Sequence, residues 1–169
     1  MSHPITIFAC GETLRGDDGA AALATQVLSP RARQLAEVRH VRALETDHLL
    51  VLPRDHRIIV VDAVTGIAPG LLVCLDLTEL SERAAACRPH STHELPLDQM
   101  IHMAYLLGRP VLGTFLGIGG ADFALGAPLS APVRHALPAL RAAVSEEVER
   151  LAGDGRTHPR IPYLQAATP

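Results

Sequence analysis

The sequence is short of aromatic residues. Three Phe, two Tyr and no Trp make up 3% of 169 residues. A core must therefore be packed from Leu, Val, Ile and Ala. Cysteine is scarce as well. Cys10, Cys74 and Cys87 are odd in number and show no C-x-x-C spacing. That argues against a disulfide framework and suits reduced thiols in a cytosol, so a cytoplasmic protein is expected. No block of like charge stands out, and the balance of 15 basic against 18 acidic residues gives a net charge of −3. Nucleic acid is not the expected partner. Met1-Ser2-His3-Pro4 runs straight into an apolar stretch without a charged and then hydrophobic leader, so a signal peptide is not expected. No apolar run approaches the roughly 20 residues that cross a bilayer, and no membrane partner is expected.

What is present is a chain with 48% hydrophobic and 20% charged residues, the composition of a globular domain. It is organised around Cys10-Gly11-Glu12-Thr13-Leu14-Arg15-Gly16-Asp17-Asp18-Gly19. The preceding Ile5-Thr6-Ile7-Phe8-Ala9 reads as a buried strand, and the following alanine-rich stretch as a helix. A strand-to-helix loop of this kind lies at the carboxyl edge of an open α/β sheet, where sites are placed. Such loops often cradle phosphate on bare N–H groups. Two adjacent carboxylates repel phosphate and attract metal ions. Asp17 reads as a cap on the helix. A second aspartate beside it, Asp18, is harder to assign to capping.

Strands then alternate with helices. The spacing predicts a helix over 19–28, a further turn or two after Ser29-Pro30, and a strand over 38–44 with one wet face. A short helix is expected at 47–52. The clearest strand is Ile58-Ile59-Val60-Val61-Asp62-Ala63-Val64, β-branched throughout most of its length and ending near Asp62. The strand predicted over 71–77 follows so closely that it is expected to run antiparallel to its predecessor. A weak helix over 81–87 comes next. A helix over 95–107 carries Leu97, Met100, Ile101, Ala104 and Leu107 on one face. A last strand spans 111–118, and a long final helix carries Pro138, which is expected to kink it or to begin a second segment. The fold class is α/β: one three-layer sandwich, a twisted and mostly parallel sheet of about five strands with helices on both faces. Residues 1–152 form one domain, and 153–169 are expected to be a mobile tail.

Asp18, Asp62 and His93 are the candidate site residues. Asp18 follows the first strand, Asp62 ends the central one, and His93 precedes the helix leading to the last parallel strand. An ordinary crossover puts all three on one sheet edge. Two carboxylates and an imidazole suit a borderline divalent metal such as nickel or zinc. Each residue also has a plain structural role open to it. His93-Glu94 fails as a zincin motif, because position 97 is Leu. No G-x-S-x-G elbow is present. Cys10, at a strand end, reads as a buried structural thiol.

In their order, these residues resemble the nickel–iron hydrogenase maturation proteases. The family's opening Gly-Asn-x-Leu-x-x-Asp-Asp/Glu-Gly is matched by Gly11-Glu12-Thr13-Leu14-Arg15-Gly16-Asp17-Asp18-Gly19. Its Val-Asp-Ala strand end with a following Pro-Gly is matched by Val61-Asp62-Ala63 and Pro69-Gly70. Its Ser/Thr-x-His loop before a Leu-rich helix is matched by Ser91-Thr92-His93-Glu94-Leu95. Gly126-Ala127-Pro128-Leu129-Ser130-Ala131-Pro132-Val133 matches the start of the family's final helix. Three stretches depart from the pattern: Glu12 replaces the usual Asn, Leu44-Glu45-Thr46-Asp47 stands where relatives often have Asp-Gly-Gly, and Gly119-Gly120 where many have Glu-Pro.

The resemblance implies an endopeptidase that removes the C-terminal extension of a nickel–iron hydrogenase large-subunit precursor. It implies that Asp18, Asp62 and His93 form both the metal site and the catalytic site. The nickel is supplied by the substrate rather than held permanently, and the protein is expected to act as a monomer. The alternative is a metal-sensing or chaperone-like binding module of the same fold that cleaves nothing. A nucleotide-binding domain is disfavoured by the acidic first loop.

Overall fold

A computed structural model describes residues 5–86 and 96–153. The elements run β1 (Ile5–Cys10), α1 (Ala20–Thr25), α2 (Pro30–Leu35), β2 (Ala36–Val41), α3 (Thr46–Leu50), β3 (Arg57–Val64), β4 (Leu72–Asp76), α4 (Leu77–Ala86), α5 (Leu97–Leu106), β5 (Leu112–Gly119) and α6 (Ala131–Ala152). The five strands form one sheet in the order β2-β1-β3-β5-β4. The first four in that order are parallel, and β4 alone is antiparallel, on β5.

The strand periodicity sorts the core into two layers. Ile5, Ile7 and Ala9 of β1 with Ile59 and Val61 of β3 pack against α1, α2 and α6. Phe8, Ile58, Val60 and Phe115, from the opposite face, pack with Leu49 of α3, Leu77 of α4 and Met100, Ile101 and Ala104 of α5. Because both faces are covered, β1 is buried at every position, as its largely apolar sequence requires. The expected sandwich with helices on both faces is the observed one.

Several details differ from the sequence reading. Ser29-Pro30 starts α2 rather than merely interrupting a helix. The Ser29 hydroxyl accepts the Ala32 N–H at 3.0 Å, and Pro30 takes a first-turn position where no N–H is needed. The second strand begins two residues earlier than the expected 38. β4 is antiparallel in direction to β3, as expected, but does not pair with it, because β5 lies between them. The seven residues between Val64 and Leu72 reach about 23 Å when extended, against about 10 Å for two strand spacings. A short connection therefore does not force neighbouring pairing. The long α6 runs unbroken through Pro138, so no second segment forms. The buried stripe of Val133, Leu137, Leu140, Val144, Val148 and Leu151 supplies packing that outweighs the roughly 3 kcal/mol of an interior proline. The expected tail beyond Gly153 falls outside the described residues, as do Cys87 and His93.

Candidate active site

The carboxyl ends of β1 and β3 sit side by side at one edge. Ala9 pairs with Val61, which sets Cys10 level with Asp62, and Asp62 pairs in turn with Gly117 of β5. Asp62 thus lies near the carboxyl end of the central strand, on the face that carries Phe8 and Val60. The loop after β1 brings Asp18 to the same place. Gly11 makes this possible. It has φ +106°, and a Cβ there would lie 2.1 Å from the Asp18 carbonyl oxygen. The chain can double back so tightly only without a side chain. The Glu12 N–H then donates to Asp18 Oδ2 at 2.7 Å and orients that carboxylate.

Asp18 and Asp62 line one cavity of about 840 Å3. Its polar rim includes Arg42, Glu45 and Asp98, and its floor is apolar, from Val60, Leu75, Met100 and Phe115. Burial pushes the Asp62 carboxyl up to about 6; a hydrogen bond from the Ala63 N–H opposes this, and the charge of Asp18 adds to it. Two carboxylates that line one cleft, one of them largely desolvated, are suited to receive a cation. Burial pushes the Cys10 thiol up to about 12; the charge of Asp62 reinforces this, a Leu44 backbone hydrogen bond opposes it, and Asp18 adds to it. Burial and the neighbouring carboxylates favour the protonated thiol, in agreement with the reading of Cys10 as a structural residue.

Asp17 does not cap α1, contrary to the expectation, and no side chain caps the 3-10 turn over Gly16–Gly19 or α1. Its carboxylate is fully buried and reaches across the sheet edge instead. Oδ2 accepts the N–H groups of Ala121 at 2.7 Å and Asp122 at 3.1 Å, and Oδ1 accepts that of Ser130 at 2.7 Å. Burial alone would raise its pKa; the donors at Ala121, Ser130 and Asp122 outweigh that and hold it below the usual carboxylate range. Of the two adjacent aspartates, one is structural and the other faces the cleft.

Glu12, residues 44–47 and residues 119–122 stand at one sheet edge, at or after the ends of β1, β2 and β5. Leu44, Glu45 and Thr46 do line the cavity. Ala121 and Asp122 are instead engaged by Asp17, and Glu12 forms an exposed ion pair with Arg42 at 3.8 Å. Arg42 and Asp98 were not singled out; an acidic residue in the first turn of α5 was the available signal for Asp98. Among the described residues, no group of three or more His, Cys, Asp and Glu is placed to hold a metal ion.

A family model described as HycI, hydrogenase maturation protease, matches residues 43–147. The chain belongs to the hydrogenase maturation protease family. It is a hydrogenase maturation endopeptidase by that membership. The matched span contains Asp62 and His93 and begins after the Asp18 loop. Among solved structures, the [NiFe] hydrogenase maturation protease HybD from Thermococcus kodakarensis is 24% identical with a TM-score of 0.61, covering 84% of this chain and 97% of that one. The hydrogenase maturating endopeptidase HybD from E. coli is 18% identical with a TM-score of 0.67, covering 88% of this chain and 93% of that one. The endopeptidase HycI from Escherichia coli is 20% identical with a TM-score of 0.58, over 84% and 89% of the two chains. At these identities the likeness is one of fold. No curated protein matches the chain. Among the described residues, no helix is long and apolar enough to cross a membrane.

Proposed function

We propose that this endopeptidase trims the C-terminal extension from a nickel–iron hydrogenase large-subunit precursor, and that it does so after reading the nickel already inserted there. The metal belongs to the substrate. Asp18, Asp62 and His93 complete its coordination and so act as a checkpoint. The observation that carries this reading is the convergence of Asp18 and Asp62 on one open cleft, where burial, with a smaller contribution from the charge of Asp18, raises the pKa of Asp62. An incoming cation would offset both effects. At neutral pH Asp62, with a pKa of about 6, is mostly ionised and meets the metal as an anion.

His93 lies outside the described residues. Its role is the one that the family resemblance implies, and a neutral imidazole would supply a third ligand of a softer kind than the carboxylates. The protein is proposed to act as a monomer in the cytoplasm. The test is incubation with large-subunit precursor, loaded with nickel or free of it, followed by mass measurement. Loss of a C-terminal peptide from the loaded precursor alone supports the reading. Tight association with no change in mass would assign the chain to the binding-module alternative.

A further inference from the structure

The cleft that holds Asp18 and Asp62 is acidic at its rim. Glu45 and Asp98 line it too, and Arg42 is the one arginine or lysine among the described residues that do so. The main chain at Arg42 is fixed. The Gly11 N–H donates to its carbonyl at 3.1 Å and to that of Val41 at 3.0 Å. Gly11 is also the residue whose backbone lets the β1 loop double back to place Asp18. One glycine thus ties the root of the Arg42 side chain to the loop that carries Asp18. The head of that side chain is free by comparison. It is 82% exposed, and its Nε lies 3.8 Å from Glu12 Oε1. Among the described residues, no hydrogen bond engages its two terminal amino groups. An ion pair of that length between exposed groups contributes little. It does not account for a guanidinium at this place. Reading a metal does not account for it either, because a positive charge in the cleft opposes the approach of a cation. A ligand that brings a negative group along with its metal accounts for both signs of charge.

We infer that Arg42 binds a carboxylate of the precursor, an Asp or Glu side chain near its metal centre, and so sets the register in which the polypeptide lies in the cleft. The inference rests on the proposed function and adds a second point of contact to it. The planar guanidinium presents paired N–H donors that match the two oxygens of a carboxylate. Metal at the two aspartates and carboxylate at Arg42 are contacts of opposite sign. A segment seated the other way round sets like charges against each other at both. A precursor without an acidic residue at the right distance from its metal is therefore bound less well. Arg42 orients the substrate and takes no part in breaking the bond.

The experiment compares wild type with Arg42→Gln, Arg42→Lys and Arg42→Glu, using nickel-loaded hydrogenase large-subunit precursor at low and at high ionic strength. Both binding and trimming are measured. At low salt, KM should rise about fivefold or more for Arg42→Gln and further for Arg42→Glu, with the loss in KM and not in kcat. Arg42→Lys should keep part of the affinity, since it keeps the charge without the fork. Raising the salt should narrow the gap between wild type and Arg42→Gln. In the precursor, the Asp and Glu residues flanking the cleavage point are then replaced by Lys one at a time. One of these changes should weaken binding to wild type, and Arg42→Glu should restore it. Equal KM for wild type and Arg42→Gln at low salt overturns the inference. So does a loss confined to kcat, or a scan in which no acidic residue couples to Arg42. Wild-type protein that binds precursor in an Arg42-dependent way but never trims it would overturn the proposed activity and leave this contact standing.

Discussion

Glu12 and Asp18 are six residues apart, and the Glu12 N–H holds the Asp18 carboxylate at 2.7 Å. That bond exists because Gly11 lets the chain turn back upon itself at φ +106°. A Gly11→Ala variant should therefore lose activity and stability together. The left-handed backbone alone costs about 1–3 kcal/mol for a non-glycine residue. The clash with the Asp18 carbonyl adds to this. Thermal unfolding and precursor trimming, measured on one preparation, check it; a variant with wild-type values of both would show that the loop is not fixed in this way.

The two adjacent aspartates should separate by mutation. Asp17→Ala removes the buried acceptor of three N–H groups, at Ala121, Asp122 and Ser130, and is expected to destabilise the protein by roughly 3 kcal/mol. Asp18→Asn keeps an acceptor for the Glu12 N–H, so its stability should change by less than about 1 kcal/mol, while trimming is lost. Chemical denaturation of the two variants gives the comparison. Equal stabilities would mean that Asp17 is not the clasp between the loops.

Asp62 makes a prediction about pH. Its folded-state pKa, raised to about 6, lies above the unfolded value of about 3.9, so its ionised form is disfavoured by folding. The penalty is absent below pH 4 and grows as pH rises through 6. In metal-free protein, Asp62→Asn should thus raise stability at pH 7.5, by on the order of 1–2 kcal/mol, with the gain vanishing near pH 4. Denaturation midpoints of both proteins across that range are the check, and a variant less stable than wild type at pH 7.5 would contradict it.

His56 shifts in the opposite sense. Burial lowers its pKa and the nearby Arg39 lowers it further, against a smaller effect of Glu37, while its Nε2 pairs with the Thr6 hydroxyl at 2.9 Å. The folded state favours the neutral ring. The stability it contributes is complete above the unfolded pKa of about 6.5 and is lost as pH falls through the lower folded value. Replacing His56 by Gln should flatten the loss of stability between pH 7 and pH 5. An unchanged slope would place the titration elsewhere.

Local pattern made β1, β3, α3 and the position of Asp62 legible. Continuous apolar or β-branched runs and a strand-end carboxylate are properties of neighbouring residues. What stayed hidden was non-local. Asp17 read as a helix cap because its true partners stand 104 to 113 positions away, and spacing along the chain carries no trace of them. The partner of β4 was hidden for a similar reason: β5, which separates it from β3, comes later in the chain. β2 was placed late because its first residues, Ala36 and Glu37, lack the apolar weight of a central strand.

The exchange of Leu44-Glu45-Thr46-Asp47 for an Asp-Gly-Gly stretch tests specificity. Leu44, Glu45 and Thr46 wall the cleft, so the chimera should change its preference between two nickel-loaded precursors. Leu44 is buried, and keeping it in a second chimera separates altered preference from lost packing. An unchanged preference in a folded chimera would shift specificity to other walls of the site.

The most direct measurement is the mass of a nickel-loaded large-subunit precursor after incubation with wild-type protein and with Asp62→Asn. The substitution keeps the size of the side chain and removes the charge proposed to meet the metal. The account predicts loss of the C-terminal peptide with wild type and an intact precursor with the variant, both proteins being folded. Trimming by Asp62→Asn at the wild-type rate would contradict it.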